Sequence, residues 1–395
     1  MKYRKNPKNG EELSQLGLGC MRFPRKAGRI DQEKTNALVA AAIDSGVNYF
    51  DSGYIYPGSE EALGKALSAC GKRDQINIVT KLPHQLCRKP EDFDKYFKIQ
   101  LERLRTDHVD YYLMHMLGNV EAWERLTALG IERWLEEKRE TGEIRNAGFS
   151  FHGGREKFIE LLEAYDWDIC MVQYNYFDEN SQAGYTGVRA AYDKGLPVIV
   201  MEPLRGGLLA DSLPDAAKQA FGKVDKNRTP AEWALRWVLN HREVTLALSG
   251  MSETSQLTEN CSVADDAGPD TLSERELAAY TDAVAALNGI IKVPCTACGY
   301  CMPCPKGVDI PTCFNCHNES YAFGLISGIT KYVQTTGQLT PVRSDATKCV
   351  ACGKCEAQCP QSIRISEELV KVKRRMKTFA VKPLMGISRK VMRIG

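Results

Sequence analysis

The chain has 395 residues, 43% hydrophobic and 26% charged, the profile of a globular protein with ample core. Lys+Arg (52) nearly balances Asp+Glu (50), so the overall charge gives no case for nucleic acid as a partner. No run of about 18 apolar residues is present, which argues against a transmembrane segment. The opening MKYRKNPKNGEELSQ lacks the apolar stretch of a secretory signal, so a cytoplasmic location is expected.

From residue 16 onward, short apolar runs alternate with longer mixed segments. LGLGCMRF (16–23), VNYF (47–50), INIVT (76–80), VDYYLM (109–114), IRNAGF (144–149), ICMVQ (169–173), PVIVM (197–201) and VTLAL (244–248) read as strands. Helical spacing fills the intervals, as in EKTNALVAAAIDSG (33–46), EDFDKYFKIQLERLR (91–105) and TPAEWALRWVLNHR (229–242). In the last, Thr229 is an N-cap followed by Pro at the first helical position. Eight strands, each followed by a helix candidate, predict an α/β fold of the TIM (β/α)8 barrel type, closing with a helix over 273–289. A doubly wound sheet is the other arrangement weighed. It normally carries G-x-G-x-x-G after its first strand, and LGLGCM has no third glycine.

A polar residue ends nearly every run: Asp51, Lys81, His115, Ser150, Gln173, Glu202 and Ser249. In a barrel the C-terminal strand ends form one face, where active sites sit. A carboxylate, an ammonium and an imidazole from three consecutive strands are therefore expected to converge. Tyr56 follows Asp51 by five residues, near enough to fold over the same spot. Lys81 beside the phenol is expected to lower the Tyr56 pKa from about 10, with Asp51 holding Lys81 in place. Tyr56 and His115 would then polarise a carbonyl oxygen together. Reduction of that carbonyl needs a hydride, which no side chain supplies, so a nicotinamide is implied. His84, His108, His152 and His241 read as surface or loop histidines, and Cys20, Cys70, Cys87, Cys170 and Cys261 as core or incidental.

Ten of the fifteen cysteines lie between Cys295 and Cys359. CVACGKCEAQCP is C-x2-C-x2-C-x3-C-P, the bacterial [4Fe–4S] run, and CTACGYCMPCP is a variant with two residues before the fourth Cys. Zinc ribbons also use paired C-x2-C, but triplets plus a distal fourth favour iron–sulfur. In two-cluster ferredoxins the fourth Cys of each run ligates the other cluster. That pattern gives one [4Fe–4S] cluster on Cys295, Cys298, Cys301 and Cys359, and a second on Cys349, Cys352, Cys355 and Cys304. Cys313 and Cys316 are left over and read as buried small hydrophobes, with a separate metal as the sharper alternative. The segment between the runs has helical periodicity, which predicts a mainly α-helical ferredoxin-like module. Domains are expected at 1–290 (barrel), 291–370 (cluster domain) and 371–395. The last carries nine basic residues and no acidic one. Its apolar faces suit a packed helix, a docking site for an acidic carrier, or a membrane-surface contact.

The residues Asp51, Tyr56, Lys81 and His115 resemble the tetrad of the aldo-keto reductases. The motifs that carry the resemblance are VNYFDSGYIYPGSEEALGKAL, IVTKLP, VDYYLMHML, GFSFH, MVQYNYF, VMEPLRGGLL and SGMSETSQLTEN, spread over roughly residues 10–290. The whole chain is similar to a bacterial and archaeal subgroup whose reductase barrel is fused to a two-cluster tail through a junction like PCTACGYCMPCPKGVDIP. The resemblance implies Tyr56 as acid/base, tuned by Lys81 and Asp51, and His115 as the residue that orients substrate. It implies Ser150 and Gln173 on the nicotinamide carboxamide, Met201 where an aromatic usually stacks, Ser249 opening the last cofactor loop, and Glu259 and Asn260 near the adenine. Phe151 stands where an Asn commonly follows the serine. The loop Ser249–Asn260 holds no Lys or Arg, so NADPH and NADH are both open, with Arg205 and Arg242 as substitute cations.

Hydride transfer moves two electrons and a cluster moves one, so three functions compete. The first is nicotinamide-dependent reduction of a small carbonyl substrate, with the tail structural or regulatory. The second has the clusters deliver single electrons from a ferredoxin or flavodoxin to the barrel site. The third is a catalytically quiet electron-transfer subunit, against which the complete tetrad argues.

Overall fold

A computed structural model describes residues 1–207, 209–210, 213–290, 292–293, 295, 301–336, 343–359 and 363–376. Two compact units emerge: Met1–Asp211 with Asn227–Glu274, and Ser212–Lys226 with Arg275–Gly395.

The first unit is a closed barrel of eight parallel strands. They are β1 (Leu16–Gly19), β2 (Tyr49–Asp51), β3 (Asn77–Leu82), β4 (Val109–Leu117), β5 (Ile144–Phe151), β6 (Ile169–Gln173), β7 (Val198–Met201) and β8 (Leu246–Ser249). Each pairs with its successor, and β8 returns to β1. Every apolar run read as a strand supplies one of the eight. Alternate side chains point inward, so Tyr49, Val79, Tyr111, Leu113, Ile169, Met171, Ile199, Leu246 and Leu248 fill the interior as one packed core. Helices between the strands follow the expected spacing, including Gln32–Asp44, Glu91–Leu104 and Pro230–Leu239. Thr229 caps the last of these, its hydroxyl accepting the Glu232 N–H at 3.0 Å.

Two small antiparallel hairpins escape a reading based on periodicity, because strands of two or three residues carry no period. One pairs Tyr3–Lys5 with Glu12–Ser14. Its Leu13 joins the barrel core, and Glu11 accepts the Tyr111 hydroxyl at 2.5 Å. The other pairs Arg25–Lys26 with Arg29–Ile30.

The second unit is helical. Ile310–Ala322, Leu325–Thr335 and Ile365–Arg375 surround a core of Val308, Ile310, Phe314, Ile329, Tyr332 and Leu369. Cys313 and Cys316 are fully buried in that core, as small apolar groups would be. The helix Glu274–Ile290 was expected to end the barrel, but nearly all of it groups with this unit, through Phe221 against Tyr280 at 5.3 Å. A boundary at 371 would also cut an element. Val372 and Met376 are buried in the second core, so residues 371–376 continue its last helix and are no separate tail. The remainder of the basic segment lies outside the described residues. Among the described residues no helix is long and apolar enough to cross a membrane.

Candidate active site

Asp51 ends β2 and Lys81 lies near the end of β3, and both side chains are buried. Lys81 Nζ donates to Asp51 Oδ1 at 2.5 Å and to the Ser52 carbonyl at 2.5 Å. A buried ammonium persists only with such partners. Tyr56 comes from a turn in which its N–H donates to the Gly53 carbonyl at 2.9 Å. That turn sets the Tyr56 ring 4.9 Å from Lys81 Nζ and edge-on to the His115 ring, with centroids 5.5 Å apart at 87°. A Cβ at Gly53 would lie 3.4 Å from both rings, so the glycine leaves them room to meet.

His115 owes its place to a local irregularity. The β4–β5 register shifts between Met114 and Leu117, and Met116 has φ 56°. Such a bulge re-aims a side chain. Two bonds pin it: Met116 N–H donates to Ser150 Oγ at 2.9 Å, and Gln85 Nε2 donates to the His115 carbonyl at 2.9 Å.

The electrostatics follow from burial. Burial works against the Lys81 ammonium, but Asp51 and then Tyr56 hold its pKa above the ordinary lysine value. Burial likewise raises Asp51, opposed by Lys81. Burial drives the His115 pKa well below the histidine range, with Lys81, His152 and His84 adding to the effect, so the imidazole is neutral. The expected lowering of Tyr56 is not found. Burial raises its pKa above the ordinary phenol value, outweighing the lowering by Lys81, and Asp51 adds to the rise. The phenol therefore remains protonated through neutral pH. His84, read as a surface or loop residue, is 4% exposed.

Behind Lys81 lies a polar network that the sequence reading missed. Gln100 Nε2 donates to the Lys81 carbonyl (2.9 Å), Glu60 Oε1 (2.9 Å) and Thr80 Oγ1 (2.8 Å). Gln100 Oε1 accepts the Tyr112 hydroxyl at 2.8 Å. The signal was present: Gln100 interrupts the apolar stripe of Phe93, Phe97 and Leu104 on its helix.

On the other side of the barrel mouth, Gln173 Nε2 donates to Asp178 Oδ2 at 3.0 Å, while Gln173 Oε1 accepts from Gln182 at 2.7 Å. One amide N–H of Gln173 and the hydroxyl hydrogen of Ser150 are not used by these bonds, which suits a carboxamide ligand. Met201 is half-buried against the barrel core. Asn260 Nδ2 donates to Ser249 Oγ at 3.1 Å, whereas Glu259 accepts the Thr229 hydroxyl on a neighbouring helix. Arg205 is buried and paired with Asp178 at 2.7 Å, and Arg242 pairs with Asp270, so both substitute cations are engaged elsewhere.

In the second unit, Cys295, Cys301, Cys304, Cys349, Cys355 and Cys359 are all packed against one core, and Cys352 is exposed. Burial pushes the Cys355 thiol up, with smaller contributions from Glu356, Cys349 and Cys304. The Ala351 N–H donates to Cys349 Sγ at 3.4 Å, and Ala351 and Gly353 have φ 54° and 73°, bending the loop around its thiols. This donor set suits a thiolate-held cluster. Cys298 lies outside the described residues. Among the described residues, no three His, Cys, Asp or Glu side chains close on a point that would hold a single metal ion.

Comparison with known proteins identifies the family. The Aldo/keto reductase family model matches residues 15–274, more than half of the chain. The chain belongs to the aldo/keto reductase family. A 4Fe-4S dicluster domain model matches residues 294–364. The aldo-keto reductase YhdN of Bacillus subtilis is 29% identical over 295 residues, covering 65% of this chain and 87% of its own. The aldo-keto reductase yakc of Schizosaccharomyces pombe, whose name specifies NADP(+), is 24% identical over 284 residues, covering 62% and 82%. Among solved structures, the holo form of a Bacillus halodurans aldo-keto reductase aligns with a TM-score of 0.59 at 26% identity, over 72% of this chain and 96% of that one. A Klebsiella pneumoniae aldo-keto reductase in complex with NADPH aligns with a TM-score of 0.57 at 25% identity, over 71% and 94%. The oxidoreductase barrel and the iron–sulfur domain thus lie in one chain, in the arrangement of the fused subgroup.

Proposed function

We propose that the protein reduces a small aldehyde or ketone with NADH or NADPH at the Asp51–Tyr56–Lys81–His115 site, and carries two [4Fe–4S] clusters in its second unit. The observation that supports this best is the Lys81–Asp51 ion pair at 2.5 Å, set beneath Tyr56 and beside a neutral His115. The nicotinamide supplies the hydride when bound. Tyr56 donates the proton to the carbonyl oxygen, and Lys81 stabilises the phenolate left behind. His115, uncharged, offers a hydrogen bond that fixes the same oxygen. Ser150, Gln173 and Met201 would hold the nicotinamide, and Ser249, Glu259 and Asn260 the adenosine end. Cys295, Cys298, Cys301 and Cys359 would hold one cluster, and Cys349, Cys352, Cys355 and Cys304 the other.

The two cysteine runs of the second unit, matched by a 4Fe-4S dicluster domain, favour a second reading, in which a cluster pair relays single electrons from a ferredoxin or flavodoxin. Anaerobic turnover of an aldehyde panel with NADH, NADPH or reduced ferredoxin separates the two. Tyr56→Phe should lower nicotinamide-driven reduction by about 10²–10⁴ with dinucleotide affinity retained. Near-normal turnover in that variant would end the assignment of Tyr56.

A further inference from the structure

Charge is spread unevenly over the cysteine runs. Within two positions of Cys295, Cys298, Cys301 and Cys359 there is no charged residue. Within two positions of Cys304, Cys349, Cys352 and Cys355 stand Lys306, Lys348, Lys354 and Glu356. The acid is engaged: Glu356 Oε1 accepts the Ser366 N–H at 2.8 Å and the Ser366 hydroxyl as well. Among the described residues the three lysines have no carboxylate partner. Lys348 Nζ donates to the Arg343 carbonyl at 2.8 Å. A Cβ on Gly307 would lie 3.0 Å from that ammonium, so Lys348 reaches the residue that follows Lys306.

The second run also presents a continuous exposed stretch, Val350–Lys354. Among the described cysteines of both runs, Cys352 alone is exposed. Its apolar neighbour Val350 is 57% exposed. The other acids between Cys295 and Cys359 are committed within the fold. Asp309 accepts the Thr312 N–H at 3.1 Å, Glu319 pairs with Lys331 at 2.8 Å, and Asp345 with Arg343 at 2.7 Å. We propose that Val350–Lys354, with Lys348 and Lys306, is the docking face for an acidic one-electron carrier protein. This rests on the single-electron reading above. In each encounter the reduced carrier loses one electron, and the cluster held by Cys304, Cys349, Cys352 and Cys355 gains it.

An apolar centre with a charged rim is the anatomy of a transient interface, and the rim charges steer the encounter. Lysines suit such a rim, because a hydrated ammonium on a flexible stem attracts without locking. The rival surface is the basic end of the helix Ile365–Arg375, where Lys371, Lys373 and Arg374 are exposed. Lys371 is paired there with Glu368 at 2.5 Å, and all three lie beyond both cysteine runs. A carrier has to approach the cluster it reduces, so cations beside the ligands serve that approach directly. The asymmetry also gives the relay a direction: the cluster with the lysines is the port, and the one on Cys295, Cys298, Cys301 and Cys359 follows it.

Calorimetric titration of the full-length protein, prepared without oxygen, with an acidic flavodoxin tests the assignment. Wild-type affinity should fall by about tenfold as salt rises from about 0.01 to about 0.1 M and the Debye length shrinks from about 30 to about 10 Å. Lys306→Gln/Lys348→Gln/Lys354→Gln should bind about tenfold more weakly at low salt, with a flatter salt dependence. Its iron and sulfide should match wild type, since no ligand is altered. Lys306→Gln/Lys354→Gln, which spares the Lys348 hydrogen bond, should shift in the same direction and decides the matter if the triple variant loses iron. Lys371→Gln/Lys373→Gln/Arg374→Gln should bind as wild type does. Unchanged affinity in the loop variants, or an equal loss in the helix variant, overturns the docking face and leaves the single-electron reading standing. A wild-type protein that does not bind flavodoxin also overturns the face, and if it takes no electron from the reduced form, that reading falls too.

Discussion

His84 shows how a single buried side chain couples this barrel to pH. Burial, then Arg125, lowers its pKa to about 4 from the ordinary 6.5. In the unfolded chain the same imidazole takes a proton near 6.5. Between these values the unfolded state binds more protons than the folded one, so stability falls as pH falls. A full 2.5-unit gap corresponds to about 3 kcal/mol across the window from 6.5 to 4. His115, shifted in the same direction by burial, adds to that slope. Urea unfolding midpoints measured from pH 7 to 4.5 should therefore drop steeply in wild type and more shallowly in His84→Asn. Parallel profiles for the two proteins would refute the account. The direction found for Tyr56 belongs to this scale too. The residues around the phenol could be named from the sequence, but the sign of its shift is set first by burial, which outweighs Lys81, and burial is a property of the fold.

The helix Glu91–Leu104 does more than cover β3. Through Gln100 it holds the Lys81 carbonyl, Thr80, Glu60 and Tyr112 in one buried network. Replacing Gln100 by Leu keeps the volume and strands the Tyr112 hydroxyl and the Lys81 carbonyl. Each buried orphan costs about 1–3 kcal/mol, so a loss of about 2–6 kcal/mol is expected by chemical denaturation. Because Gln100 acts on Lys81 only through its backbone, kcat should fall while KM for the carbonyl substrate changes little. Stability and kcat both at wild-type level in this variant would dismiss the network as incidental. Elements of this length were legible in the sequence for a simple reason. VNYF, INIVT and VDYYLM each run apolar into a polar residue, and a barrel places all such junctions on one face. The Met116 bulge was not legible, since it depends on pairing with the distant strand that carries Ser150, and the two hairpins were not, since strands of two or three residues carry no period.

At the scale of the molecule, the two chemistries occupy two compact units, so damage to one should spare the other. Protein prepared without oxygen should carry about eight iron and eight sulfide per chain if both cysteine runs are filled. Cys352→Ser should lose about half of each, while nicotinamide-driven turnover in the barrel persists. Zinc without sulfide would discard the cluster reading. The cysteine spacing alone carried this expectation, because a cluster motif is local in sequence. The extent of the second unit was less accessible. Its segment Ser212–Lys226 is drawn from the connection between β7 and β8, and only the tertiary arrangement reveals that loan.

That loan has a consequence for biosynthesis. The helix Asp215–Gly222 is made before the barrel is complete, yet Phe221 rests on Tyr280, about sixty residues later in the chain. At roughly 5–20 residues per second, a ribosome needs about 3–12 seconds to deliver that partner. During the interval Phe221, buried in the finished protein, lacks its contact with the Tyr280 ring. The nascent chain thus completes this packing only once residue 280 is made, and slower translation of residues 223–280 would lengthen that wait.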